Sequence, residues 1–465
     1  MKIRIQVVIE GEAGAPEVVE EVACVERATL QPATLGLTLS EAKEVLRGVQ
    51  QVLVPRQVTE YGEQQRCCPD CGTVRSRKGN HEVVIRSLFG RLRVCSPRYY
   101  TCRCQPRETK SVSPLAELLA ERITPELQYL ETKAAALESY ERAVGWLEEV
   151  LPLEGQITTT ALRRQVTAVA ERLEGELSDE EPVIEGCPLE WARLPDPAGP
   201  LTVGLDGGYV KARPGECRQA SAFEVITGKS ITAEGGVRRF AFVQGYDTKA
   251  RRRLFDLMRS QGMQMNQQVT FLSDGGDTVR ELPLYLNPQA EHILDWFHVT
   301  MRLTVLGQLT KSIRTPETAD VVTEVETILE RLKWYLWHGN VFRAVQLVED
   351  LEFEVDGLTA SPEQRKLEKA VHEFANYVSA NRAFIPNYGE RYRYGEAIST
   401  AFVESTVNQV ISKRMVKKQQ MRWTRRGAHN LLQIRSHVLD GEYRDAFVRW
   451  YPEMQPAEQE VALAA

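Results

Sequence analysis

The second half of this sequence predicts an α/β domain built on a mixed sheet, and three observations carry that expectation. Short apolar runs with strand alternation fall at 201–206, 219–227, 237–244, 268–273 and 292–296, with helical patterns across 248–261, from about 276 and from near Phe297. The first and fourth runs each end on an acid followed by two glycines, in GLDGG (Asp206) and FLSDGG (Asp274). Residues 299–390 then read as helix throughout, a long all-helical insertion before the α/β pattern resumes at 391–440.

Element by element, residues 1–65 open with an alternating strand, MKIRIQVVI, followed by the helical pattern TLSEAKEVLRGVQQVLV, for which Thr38 or Ser40 is the cap. Residues 66–110 form a cysteine module. Cys68-Pro-Asp-Cys71-Gly has zinc-knuckle spacing, and Cys102-Arg103-Cys104 supplies a return pair across a hairpin turning at Phe89-Gly90. Cys67 and Cys95 are spare candidates. Four thiols in an intracellular chain favour a structural zinc over disulfides, with unmetallated cysteines as the alternative. Residues 111–180 are helical, and a helix starting after Thr158 presents Arg163, Arg164 and Gln165 in a pattern compatible with a DNA-reading helix-turn-helix or with plain helical packing. The proline-rich stretch 181–199 reads as a linker. In 200–298 the order three strands, helix, strand, helix, strand is that of a ribonuclease-H-like domain with helices on both faces. Residues 441–465 are expected to be a C-terminal tail.

A length of 465 residues suits about three domains at roughly 150 residues each. No apolar run approaches the ~18 residues of a membrane span, and the N-terminus lacks a signal-peptide core, so a cytoplasmic, nucleoid-associated protein with no membrane partner is expected. The formal charge of −6 hides segregation: residues 66–110 hold eleven Lys or Arg against three acids, and residues 411–435 hold eight against none. By contrast, 349–369 holds seven acids and three bases. Such blocks suit one face that follows a phosphate backbone, the alternative being solvated basic faces with no ligand.

Three separated carboxylates carry the expected chemistry: Asp206 and Asp274 at strand ends, and Glu404 in the helix-compatible AFVESTVNQ. Gathered at one end of a sheet they would repel one another unless a cation held them. Oxygen donors without a His or Cys cluster point to magnesium or manganese, and two such ions suit phosphodiester chemistry. Asp206 would bridge both ions, with Asp274 and Glu404 each holding one side. Asp277 competes with Asp274, and isolated Asp-Gly turns are the bland alternative. The glycine pairs 207–208 and 275–276 would leave room for a nucleic-acid backbone. Asp295 and His298, three apart at a strand-to-helix step, can share a hydrogen bond. After Glu404, Lys413, Arg414, Lys417, Lys418, Arg422, Arg425 and Arg426 surround Trp423, which is either a base-stacking platform or a core residue.

LDGGYV, SDGG, DWFH and the run from FVES to MRWTRRGAHNLLQIR together resemble the DDE transposases of bacterial insertion sequences, specifically the ISKra-type group, over roughly 66–107 and 200–440. The DxxH step and the helical insertion are similar to those of mutator-like and hAT transposases. The resemblance implies a ribonuclease-H-like catalytic domain, magnesium-dependent DNA cleavage and strand transfer, and binding to terminal inverted repeats and target DNA as a dimer or larger assembly. It implies Asp206, Asp274 and Glu404 as the catalytic triad, with Asp295 and His298 as an accessory pair. The one-residue gap between Cys102 and Cys104 departs from the family's usual two. Competing expectations are a sequence-specific DNA-binding regulator that keeps an inactive transposase-like domain, and a nuclease of the same fold that performs no strand transfer.

Overall fold

The computed structural model describes residues 1–10, 18–104, 110–153, 155, 157–178, 184, 186–216, 221–276, 282, 286–358, 360–416 and 421–454. It is a mixed α/β chain in two compact units, residues 1–169 with 442–465, and residues 170–441. The division falls within the helix Thr159–Glu176, earlier than the proline-rich stretch 181–199. Among the described residues, no helix is long and apolar enough to cross a membrane.

In the first unit, β1 (Lys2–Ile9) pairs antiparallel with β2 (Val18–Glu26), a second strand the sequence reading did not anticipate. The helix Leu39–Gln64 starts at Thr38, whose hydroxyl accepts from Glu41 N–H while the Glu41 carboxylate accepts from Thr38 N–H, a reciprocal cap. β3 (Arg77–Ser87) and β4 (Gly90–Tyr100) form the expected hairpin, with Gly90 at a φ of 118° that favours glycine, and β5 (Ser111–Val112) adds to β4. Val83, Ile85, Leu92 and Val94 pack with Val58 of the long helix as one core. The helices Pro125–Leu137, Tyr140–Val150 and Thr159–Glu176 follow.

Residues 441–465 do not form a tail in their described part. Tyr443–Trp450 is a helix whose Tyr443, Ala446 and Phe447 share one face by their i, i+3, i+4 spacing. That face packs on Pro125–Leu137: Tyr443 stacks on Tyr129 at 5.4 Å between ring centroids and bonds Thr132 at 2.5 Å, and Arg444 forks onto Glu126 at 2.6 and 2.7 Å.

The second unit is built on five strands: β6 (Leu201–Lys211), β7 (Ala222–Thr232), β8 (Val237–Val243), β9 (Val269–Ser273) and β10 (Ala290–Leu294), in the order β10-β9-β6-β7-β8. β6, β9 and β10 run parallel, while β7 and β8 are antiparallel to their neighbours. Strand alternation assigns the two faces. Leu201, Val203 and Leu205 pack with Phe240, Phe242 and Phe271 against Leu254, Phe255 and Met258 of the helix Ala250–Ser260. The opposite face meets the helix Ala401–Val407 at Gly204 and the helix Arg425–Leu439, whose Gln433 bonds the Ala241 carbonyl at 3.0 Å. The expected helix from about 276, and Asp277, lie outside the described residues from 277 onward.

The insertion is helical as expected, over Trp296–Ser312, Ala319–Trp337, Val341–Val355, Pro362–Asn381 and Tyr388–Arg393. Its apolar faces share one core running from Leu294 and Val299 through Leu332, Leu351 and Val371 to Tyr388. That core begins at the end of β10, which anchors the insertion to the sheet.

Candidate active site

The parallel pairing of β6 with β9 ends at Gly204 opposite Leu272. Asp206 and Asp274 each lie two residues beyond that pair, so the two carboxylates leave neighbouring strands at equivalent positions. β10 continues the series. Leu294 pairs with Ser273, and Asp295 N–H donates to the Ser273 carbonyl at 2.8 Å. Asp274 and Asp295 thus follow the ends of β9 and β10, whereas Asp206 lies within β6, which continues to Lys211 paired with β7 and so does not end at the acid as the sequence predicted. The three acids stand along the edge where the parallel pairing stops, the edge at which open α/β sheets collect ligands.

Two glycines decide where Glu404 goes. A Cβ at Gly204 would meet Val403 at 2.1 Å and Phe402 at 2.7 Å, and a Cβ at Gly208 would meet Ile411 at 2.7 Å and Val407 at 3.5 Å. Residues 204, 206 and 208 share a face of β6. The helix Ala401–Val407 and the π turn Asn408–Ser412 therefore lie directly over that face, with Glu404 on the helix. The space at Gly208 is filled by protein, and that at Gly207 by Glu224, so neither leaves room for a nucleic-acid backbone as the sequence reading expected. Gly275 has a φ of 81°, and its open side faces Leu294 and Asn381; it serves the turn after Asp274.

Burial pushes the Asp206 carboxyl up to about 6, and the charges of Asp274 and Glu404 push the same way against the Gly207 N–H and His298. Gly207 N–H donates to Asp206 Oδ1 at 2.8 Å, and Gly276 N–H to Asp274 Oδ1 at 2.9 Å. Asp206 feels the charges of Asp274 and Glu404, but the three carboxylates are not drawn together tightly. Among the described residues, the groups whose ligand atoms converge within 4.8 Å are the four cysteines discussed below and Glu174, Asp247 and His429.

Asp295 is fully buried and caps the helix Trp296–Ser312. Its Oδ1 accepts from Phe297 N–H at 2.8 Å. Its Oδ2 lies 2.7 Å from His298 Nδ1 and also accepts from the Thr400 hydroxyl. With both oxygens occupied, Asp295 orients the imidazole and leaves Nε2 for other partners. Burial opposes ionisation at both groups. At His298 it is outweighed by the Asp295 bond and by the charges of Asp295, Asp274 and Asp206, which hold the imidazole above its ordinary range. Asp295 is held below the usual carboxylate range by His298, Thr400 and the Phe297 N–H. Thr400 also offers its carbonyl to Val403 N–H at 2.6 Å and Glu404 N–H at 3.2 Å, so one residue touches both the Asp295–His298 pair and the Glu404 helix. No sequence signal marks Thr400.

The cysteine spacing leads to a real cluster. The sulfurs of Cys68 and Cys104 are 3.5 Å apart, Cys71 and Cys102 are 3.4 Å apart, and Cys71 and Cys104 are 3.4 Å apart. Tetrahedral sulfurs around zinc at about 2.3 Å would be separated by about 3.8 Å, so the four thiols fit such an ion with a small expansion. Thr73 and the neighbouring thiols lower Cys71 to about 6, while the other three cysteines push Cys104 far up. Crowded thiols of this kind are relieved by a cation. The one-residue gap at Arg103 does not keep Cys102 or Cys104 out of the group. Cys67 and Cys95 are exposed and lie outside it.

The basic segment after Glu404 is less open than its composition implies. Trp423 is buried, donates from Nε1 to the Met415 carbonyl at 3.1 Å, and is clipped by its backbone to Lys211 and Arg213 at 2.9 Å each. It is a core residue and offers no stacking platform. Arg414 is buried too, its guanidinium 5.2 Å from the Trp423 ring centroid. Lys413 and Arg422 are exposed, Arg425 is half-buried, and exposed Arg426 pairs with Glu171. Lys417 and Lys418 lie outside the described residues. In the first unit Arg163 and Arg164 are exposed on their helix, Arg163 lying 5.1 Å from the Tyr140 ring centroid.

Glu174, Asp247 and His429 were not singled out by spacing. Arg253 fills their midst, forking onto Glu174 at 2.8 Å twice, meeting Asp247 at 3.0 Å and bonding Gln433 at 2.6 Å. A buried guanidinium already balances this group, which reads as an ion-pair network. Compared with models of known protein families and with curated protein sequences, the chain matches none.

Proposed function

We propose that this chain is a DDE-type DNA transposase whose second unit is a ribonuclease-H-like catalytic domain and whose cysteine module is a zinc ribbon. One observation carries the reading. In a β10-β9-β6-β7-β8 sheet, Asp206 and Asp274 lie side by side, each two residues past the point where the parallel pairing of the first and fourth strands stops, while Gly204 and Gly208 seat the Glu404 helix over the same face. Oxygen-only donors and the raised Asp206 carboxyl fit magnesium or manganese, since a divalent cation relieves the repulsion that helps hold that proton. When bound, a pair of such ions polarises the phosphodiester and activates the attacking oxygen.

The chain's own residues do the rest. Asp206 and Asp274 would hold the ions between neighbouring strands, and Glu404 would close the third side. Asp295 fixes His298 with Nδ1 turned inward, so that Nε2 can meet a phosphate oxygen or leaving group beside the acids. The first displacement would free a 3′-hydroxyl at the end of the mobile element, and the second would join that hydroxyl to target DNA. Lys413 and Arg422 are exposed bases in the segment that follows Glu404 and are assigned to phosphate contacts. Arg163 and Arg164 are assigned to recognition of the terminal repeats.

The test is an assay of the purified chain on duplexes ending in the element's terminal repeats, with magnesium. Nicked and joined products are expected from the wild type, and Asp206→Ala should lose both while still binding DNA. Full cleavage by that variant removes Asp206 from the chemistry. Nicked products without joined ones would point to a nuclease, and binding without cleavage to a DNA-binding regulator.

A further inference from the structure

Arg302 lies on the helix Trp296–Ser312, one turn beyond His298 and on the same side by the i, i+4 spacing. It is exposed, and its guanidinium carbon sits 4.1 Å from the ring centroid of Tyr377. Among the described residues its guanidinium makes no ion pair with a carboxylate. Tyr377 belongs to the insertion helix Pro362–Asn381, which ends beside the catalytic edge: Asn381 Oδ1 is 2.7 Å from where a Cβ of Gly275 would stand. The Tyr377 hydroxyl is buried, with the Arg302 guanidinium as the polar group beside it, and the charges of Asp274 and Asp295 reach it. A guanidinium has five N–H donors, so one held against an aromatic ring and its hydroxyl keeps others for phosphate oxygens, which it grips in pairs.

We propose that Arg302 is a phosphate-binding residue at the catalytic edge, presented on a Tyr377 platform that the helical insertion supplies, and that its ligand is a backbone phosphate flanking the bond to be cut. The proposal rests on the nucleic-acid reading above. It gives the insertion a direct part in holding the substrate. A polyanion approaching three carboxylates meets repulsion, and an unneutralised guanidinium one helical turn from His298 offsets it.

The experiment measures binding of a fluorescein-labelled random-sequence duplex to the full chain by anisotropy across a potassium chloride series. The variants are R302Q, R302K and, as a control for loss of one exposed charge on the same helix, K311Q. R302Q should weaken binding and flatten the slope of log affinity against log salt by about 0.9, the value of one phosphate contact. R302K should keep the slope yet cleave more slowly than wild type, because an ammonium lacks the fork. K311Q should behave as wild type. An unchanged slope for R302Q, or an equal flattening for K311Q, overturns the assignment of Arg302 while leaving the transposase reading standing. A wild-type chain that binds no duplex at low salt sinks both. Melting curves for each variant separate a lost contact from a lost fold.

Discussion

Asp206 carries the clearest consequence at the scale of a single residue. Its carboxyl sits at about 6 in the folded chain against an ordinary value near 4, so folding favours the protonated form. The sign follows: without divalent cations the acid costs nothing below about pH 4, and the folded state loses stability as pH rises from there through about 6. At neutral pH the loss is up to about 3 kcal/mol, less whatever solvent screening removes. Asp206→Asn should therefore melt higher than wild type at pH 7.5 in EDTA and at the same temperature at pH 4. Magnesium should raise the wild-type melting temperature and leave the variant's unmoved. Parallel pH profiles for the two proteins would mean that this carboxyl is not perturbed by its neighbours. Sequence alone pointed to Asp206 because an acid closing an apolar run is unusual. It gave no sign of Thr400, because a threonine between a serine and an alanine looks the same whether or not its hydroxyl reaches a buried aspartate.

The pairing of a strand with a helix is the element that makes the site, and it depends on absent side chains. At Gly204 an added methyl group would enter the Val403 side chain at 2.1 Å, and at Gly208 it would press on Ile411. Gly204→Ala should cost roughly 1–3 kcal/mol as an overpacking change. It should also lower cleavage far more than that loss explains, since Glu404 must move with its helix. Cleavage at the wild-type rate by a stably folded Gly204→Ala chain would separate Glu404 from the chemistry. The succession of strands along the chain was legible in the sequence because short apolar runs mark β6, β7 and β9, the last buried on both faces, whereas their spatial order depends on pairings between segments far apart in the chain. The purpose of the glycines was not, because an empty position says only that something approaches. Trp423 shows the opposite limit. Bases around an aromatic read equally well as a nucleic-acid platform, and only the backbone clip to Lys211 and Arg213 reveals the ring as core.

At the scale of the whole molecule the two units should answer to different metals. The purified chain should carry about one zinc, removable by a strong chelator or by Cys71→Ser. Its loss should lower the melting of the unit holding β3 and β4, without changing the magnesium response that Asp206 governs in the other. A chain with no zinc and an unaltered melt on chelation would leave the four thiols as a metal-free cluster. Spacing had picked out the four cysteines that cluster, since a knuckle is a local object; it missed the C-terminal helix, whose partner stands more than three hundred residues earlier in the chain. One further feature bears on history. Trp296 N–H donates to the Ile398 carbonyl at 3.0 Å, so the two ends of the excursion of about a hundred residues meet beside the end of β10. Anything spliced in or trimmed out far from that junction need not stretch the strands behind it, which lets such a chain change the length of the appendage over evolutionary time while the sheet keeps its shape.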